Sequence, residues 1–267
     1  MESTIEAYCM FIGYSRSGST LIGSLLEAHP NITIAIKLDA LKYLAKNQIR
    51  TRQDLFAKLI KQSQQFLNQQ CACAGCGHTF KVLNSYQGRN TELKVIGDNA
   101  AGSSTLLIKQ YPDLLNRLKK IIGMDIKFIH VIRNPFDMIA SEFQHTYPKR
   151  KSRGYTIQTS ILRVFDQIRT MQKIKKLPFD ILDVYHEELL QNTDAVLNKI
   201  CSFLSVVCHS SFLTNCKQLI NSDSHKSRFE VEWPPGALNS IQTEFIKYKF
   251  LEKYVNCFSE KSYTGFE

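Results

Sequence analysis

An arginine, three serines, a threonine and two glycines fall within eight residues, "GYSRSGST", at positions 13–20. Gly13 and Gly18 keep the spacing of the phosphate loop G-x-x-x-x-G-K-[ST], in which backbone N–H groups wrap one phosphate and the lysine reaches the next. Ser19 stands where that lysine would be. The cation comes instead from inside the loop, as Arg16, and Ser17, Ser19 and Thr20 add hydroxyl donors at the start of a helix, a place that favours anions. Such a set captures an anion but has no lysine for a γ-phosphate. "LKVIGD" is the one strand ending in an aspartate, Asp98, placed for magnesium, so ATP hydrolysis is disfavoured. The same residues also suit a tight strand-to-helix turn with a serine cap.

A second anion site is expected at "IKFIHVIRNPFDMIAS". Arg133 lies at the carboxyl end of an apolar strand, where open α/β sheets bind ligands. Ser141 follows eight positions later, about two helical turns on. A helix starting near Pro135, a residue suited to the first turn, puts the two on one face, where they can clamp one terminal phosphate. Arg133 alone serves equally well as a structural ion-pair residue.

These side chains need strands and helices to hold them. "AYCMFIGY" (7–14), "ITIAI" (32–36), "LKVIGD" (93–98), "IKFIHVIRN" (126–134) and "FDILDVYH" (179–186) read as strands, apolar along their length. Helices are expected at "TLIGSLLEAHP", "LDALKYLAKN", "RQDLFAKLIKQSQQFLNQ", "YPDLLNRLKKII", "PFDMIASEFQHTY" and "YTIQTSILRVFDQIRTMQKIKK". Another is expected at "TDAVLNKICSFLSV", capped by Thr193 or Asp194. "NAAGSS" reads as a second loop after its strand. The alternation predicts an α/β fold, P-loop-like, in three layers with a central parallel sheet between helices. One domain over 1–267 is expected, with a variable segment at about 65–92.

At 267 residues and 43% hydrophobic, the chain can bury a substantial core. The net charge of +10 points to an anionic partner. No nucleic-acid-binding signature is present, no apolar run is long enough to span a membrane and no signal-peptide pattern opens the chain, so a cytoplasmic protein is expected. Eight cysteines then default to free thiols. Cys71, Cys73, Cys76 and His78 fall as C-x-C-x-x-C-x-H, which either wraps a zinc or is a segment of small residues near the acceptor. "YPKRKSRGY" (147–155) reads as a solvated loop or as a lid.

Taken together, the two anion loops resemble those of sulfotransferases that use PAPS, a donor with a 5′-phosphosulfate and a separate 3′-phosphate. "YSRSGSTLIGSLLEAHPNI" is similar to the family's 5′-phosphosulfate loop and "IRNPFDMIAS" to its 3′-phosphate motif. "DVYHEELLQNTDAVLNKICSFLSV" resembles its Tyr/His-Glu-Asp-Leu turn and following helix. "SHKSRFEVEWPP" with "FIKYKFLEKY" resembles the carboxyl-terminal cofactor loop of bacterial and tyrosylprotein-type members. The resemblance covers about residues 8–256. It implies that Arg16, Ser17, Gly18, Ser19 and Thr20 hold the 5′-phosphosulfate, and that Arg133 and Ser141 hold the 3′-phosphate with Arg228 and Lys226. His186 matches a position near the adenine, or is a satisfied strand-end histidine. It also implies a small-molecule acceptor, no required metal, no nucleic-acid partner and no membrane. Arg16 is expected to stabilise charge on the leaving oxygen.

The chain departs from that pattern at two places. Lys37 stands where relatives carry a glutamate base, and Asn99 where many carry a lysine at the sulfuryl group. Asp98, Asp39 and a neutral Lys37 are then alternative bases. A carboxylate in the acceptor pocket would suit a cationic natural product, such as a guanidinium toxin of the saxitoxin type. Two other readings stay open: a catalytically silent PAPS or PAP binder, and a P-loop small-molecule kinase.

Overall fold

The computed structural model describes residues 4–69, 79–86, 92–220 and 224–255. Five strands form one sheet: β1 (Ala7–Gly13), β2 (Ile32–Ile36), β3 (Val95–Asn99), β4 (Ile126–Ile132) and β5 (Asp180–Tyr185). Their order is β2-β3-β1-β4-β5, and every pairing is parallel. β1 is central, paired through Tyr8 with Ile96 on one side and Ile126 on the other.

Side chains alternate across a strand, so β1 sends Tyr8, Met10 and Ile12 into one core and Ala7, Cys9 and Phe11 into the other. All six are buried, which explains why the strand reads as apolar throughout rather than alternating. The first core packs the sheet against α2 (Ala40–Ala45), α5 (Asp113–Ile122), α7 (Ile157–Ile174) and α11 (Ala237–Phe245). The second packs it against α1 (Ser19–Glu27) and α9 (Thr193–Leu204). Each fully buried side chain of the size of Phe128 contributes about 1.5–3 kcal/mol, and truncating it to alanine costs roughly 3–5 kcal/mol.

Several helices differ from the sequence reading. α4 runs from Ala101 to Gln110, so most of "NAAGSS", which reads as a loop in the sequence, lies in its first turn. α6 runs from Pro135 to Arg150, past Pro148, and a 3₁₀ turn at Lys151–Arg153 ends at Gly154. Most of "YPKRKSRGY" is therefore helical, and its basic side chains are exposed to solvent. Neither Thr193 nor Asp194 caps α9: Asn192 holds the cap position without a side-chain bond, and the Thr193 hydroxyl donates to Leu189 O at 3.0 Å.

Among the described residues the remaining α-helices are α3 (Arg52–Asn68), α8 (His186–Gln191) and α10 (Ser210–Lys217). Of the segment 65–92, residues 65–68 close α3, and the described stretch 79–86 lies toward the far end of α1, where Tyr86 N donates to Ala28 O at 3.2 Å. Cys71, Cys73, Cys76 and His78 lie outside the described residues.

Candidate functional site

The carboxyl ends of the strands lie on one edge of the sheet, with Phe11 and Ile36 in register with Asn99, and Gly13 in register with Val131. From β1 the chain runs by α1 to β2 and β3 on one side, then reaches β4 on the other. The loops after β1 and β4 therefore flank the switch point between those strands, where this architecture binds ligands.

The loop after β1 is wound tightly. Gly13 (φ 128°), Arg16 (φ 66°) and Gly18 (φ 90°) take left-handed backbone conformations within six residues. Arginine in that region costs on the order of 1 kcal/mol and persists only where surroundings enforce it. The loop is fixed from below: Gly13 N donates to Thr105 Oγ1 at 2.8 Å, and the buried Ser17 hydroxyl donates to Tyr14 O at 3.0 Å. Ser17 is thus not a helix cap: Gly18 holds the cap position of α1, with no side-chain cap on the helix's first amides. Gly18 is obligatory for a second reason. A Cβ there would stand 2.4 Å from Nδ1 of His186.

A buried chain of polar groups underlies the loop. The Tyr14 hydroxyl lies 2.9 Å from His130 Nε2, and His130 Nδ1 lies 2.9 Å from Asp183, which also pairs with Lys175 at 2.5 Å. Burial pushes the His130 imidazole below its usual pKa. The neutral tautomer that satisfies both neighbours donates from Nδ1 to Asp183 and accepts from Tyr14. On the other side, Ser15 N donates to Gln167 Oε1 and Gln167 Nε2 donates to Gly102 O, each at 3.3 Å. Gly102 lets α4 approach the loop, since a Cβ there would lie 2.7 Å from Ser15 N. His130 and Gln167 carry no motif; their signal is a polar residue at an apolar register position of "IKFIHVI" and of α7.

The two expected anion sites meet at Arg16. Its Nε donates to Ser141 Oγ at 2.9 Å, and its carbonyl accepts from Arg133 Nη1 at 3.2 Å. Asn134 caps α6 by accepting from Phe136 N at 3.0 Å, which turns the chain so that Ser141 faces the loop. Arg133 also donates from Nη2 to His225 O at 2.5 Å. Arg228 pairs with Asp137 of α6 at 2.5 Å. Lys226 is exposed, one residue past the carbonyl that Arg133 grips.

Three buried nitrogens around this junction have no hydrogen-bond partner among the described residues: Arg133 Nε, Arg228 Nε and His186 Nδ1. Such groups are rare and call for an explanation. Burial and the Arg133 charge push the His186 imidazole down to about 4, so the ring is neutral at pH 7. Two orphaned guanidinium donors and a neutral, orphaned imidazole fit a ligand that carries a terminal phosphate beside a polar ring.

The side chains of Asn99 and Asp98 both bond to the protein's own groups. Asn99 Nδ2 donates to Ser19 O at 2.6 Å, bracing the first turn of α1. Asp98 is fully buried, with one oxygen accepting from Tyr8 Oη at 2.7 Å and the other from Ala40 N at 3.0 Å. Burial pushes its carboxyl up to about 7. Asp39 is also buried, where it caps α2 and accepts from the Ser103 hydroxyl. Both carboxylates are joined to internal donors rather than turned to an acceptor. Lys37 is exposed at a left-handed turn (φ 64°), with its N–H donated to Asn99 O at 2.9 Å. Thr20 lies half-buried in the first turn of α1. A cavity of about 420 Å³ lined by Pro30, Lys94, His209 and Phe212 lies at the amino ends of β2 and β3, away from this site.

The model of a sulfotransferase family matches residues 10–209. The chain belongs to the sulfotransferase family. Among solved structures, a sulfotransferase from Mycobacterium avium is similar over 96% of this chain and 77% of its own, at 10% identity with a TM-score of 0.52. A mouse sulfotransferase, solved in complex with PAP, is similar over 97% of this chain and 92% of its own, at 14% identity with a TM-score of 0.51. At these identities the likeness is one of fold: the five-stranded parallel sheet between helices is the sulfotransferase architecture. No curated protein matches the chain. Among the described residues no helix is long and apolar enough to cross a membrane.

Proposed function

We propose that the chain transfers a sulfuryl group from PAPS to a hydroxyl or nitrogen of a small-molecule acceptor. The observation that carries this reading is the bond from Arg16 to Ser141, which joins a phosphate-type loop to a second anion site lined by the orphaned donors of Arg133 and Arg228. A donor with two separated anionic groups needs such a pair. A nucleoside triphosphate, with its phosphates in one run, leaves the second site without a purpose.

PAPS supplies, when bound, a sulfuryl group activated on its 5′-phosphate. Arg16, Ser17, Gly18, Ser19 and Thr20 hold that end, and the loop amides with the Arg16 guanidinium stabilise charge on the leaving phosphate oxygen. Arg133, Ser141 and Arg228 hold the 3′-phosphate, with Lys226 at its rim. His186 faces the nucleoside. Asp98, Asp39 and Asn99 support the loops from inside, and Lys37 stands at the mouth as a cation.

That placement bears on the acceptor. A cationic acceptor such as a saxitoxin-type toxin would need a carboxylate at the mouth, and Asp98 and Asp39 are turned inward. Lys37 instead favours a neutral or anionic acceptor. Incubation with PAPS and a pool of hydroxylated and amine-bearing small molecules, read by mass, tests the activity. A sulfated product that is lost in Arg16→Ala supports transfer. PAP binding with no product from any acceptor supports the silent binder.

A further inference from the structure

With Asp98 and Asp39 sealed, the acceptor's proton needs another destination. His145 lies on α6 one turn beyond Ser141, the residue that accepts from Arg16. Residues four apart on a helix are neighbours on one face, and side chains lean toward the helix N-terminus, so the imidazole stands over the turn that carries Ser141. It is half-buried, and it makes no hydrogen bond among the described residues. Its ring lies within the electrostatic reach of Arg16 from the β1–α1 loop, Lys37 from the turn after β2 and Lys149 from α6.

We propose that His145 is the general base that takes the acceptor's proton, an inference that rests on the sulfuryl-transfer reading above. A neutral imidazole nitrogen removes the proton from the acceptor hydroxyl as the acceptor oxygen bonds to sulfur. The bond from sulfur to the 5′-phosphate oxygen breaks, and its electron pair leaves on that phosphate. The imidazolium then returns its proton to water. Burial and the three cations around it hold His145 below its usual pKa, so the ring is in the basic form at neutral pH. The departure at position 37 then has an explanation: a lysine stands where the carboxylate is expected, and the basic group comes from α6 instead.

Three measurements on the full chain test this. Calorimetry with PAP comes first, on wild type, His145→Gln and His145→Ala; if wild type does not bind PAP, it is the sulfuryl-transfer reading that fails. With PAP binding retained in all three, the imidazole of His145 is titrated by NMR, its signal assigned by its loss in His145→Gln. The expected midpoint lies below the ordinary 6.5 in the free protein and rises when PAP places its negative charge beside Arg16. Transfer from PAPS to whichever hydroxyl probe wild type sulfates is expected to fall about 10²–10⁴-fold in both variants, with partial rescue of His145→Ala by added imidazole. A midpoint unmoved by PAP, or a His145→Gln variant that transfers at the wild-type rate, overturns the proposal.

Discussion

Arg16 Nε and Ser141 Oγ meet at 2.9 Å although 125 positions separate them in the chain. The contact joins the loop after the central strand to the first turns of α6, and it makes one site of two. Arginine supports this geometry where lysine cannot, because its fork can bond Ser141 through Nε while other donors stay directed at a ligand. Arg16→Lys is expected to keep the fold and weaken PAP binding at least about 10-fold. Ser141→Ala is expected to weaken it by a similar factor, since a hydrogen bond to a charged group contributes about 1.5–3 kcal/mol. Calorimetry with PAP measures both, and circular dichroism checks the fold.

Gly18 and His186 are fitted to each other. Gly18→Ala places a methyl 2.4 Å from the imidazole at a φ of 90°, and is expected to cost roughly 1–3 kcal/mol of stability along with cofactor affinity. Removing the ring relieves the clash but not the backbone strain, so the double variant Gly18→Ala, His186→Ala should recover only part of the loss in thermal melting.

Asp98 predicts a pH signature rather than a catalytic one. Its carboxyl is held up to about 7 in the fold by burial, against about 3.9 when unfolded. A raised acid binds its proton more tightly in the folded state, so its contribution is fully present below pH 4 and is lost as pH rises from about 4 to 7. Asp98→Asn stays uncharged and keeps partners for Tyr8 and Ala40. Relative to wild type it should gain stability progressively across that window in denaturant titrations, while retaining sulfuryl transfer within a few-fold. A loss of transfer as large as that of Arg16→Ala would return Asp98 to the chemistry.

The buried Tyr14–His130–Asp183–Lys175 chain holds the loop from beneath. His130→Leu leaves Asp183 without a partner it needs in a half-buried setting and the Tyr14 hydroxyl without an acceptor. An unsatisfied buried polar group costs about 1–3 kcal/mol, and the variant should melt earlier and bind PAP more weakly. Gln167→Leu should weaken PAP binding with a smaller change in melting, because it releases Ser15 from α4 without stranding a charge.

All five strands are legible in the sequence because parallel strands buried on both faces read as continuous apolar runs, and the meeting of Arg16, Arg133 and Ser141 is legible because the loops that follow such strands gather at one edge of the sheet. α4 is not legible, since "AAGSS" has turn composition and becomes helical only when its small residues pack under the loop. Asp98 looks like an exposed strand-end carboxylate, yet the pleat and the Ala40 amide turn it inward. His145 lies one turn beyond the motif that ends at Ser141, and only the inward turn of Asp98 and Asp39 makes its basic nitrogen stand out.

Calorimetric titration with PAP, ATP and GTP asks whether the chain holds a ligand with two separated anionic groups. PAP is expected to bind tightly, at least about 10-fold more weakly in Arg133→Ala, with ATP and GTP weaker than PAP by about 100-fold or more. Equal or tighter binding of ATP, with PAP affinity indifferent to Arg133, would contradict this expectation and favour a phosphoryl-transfer enzyme.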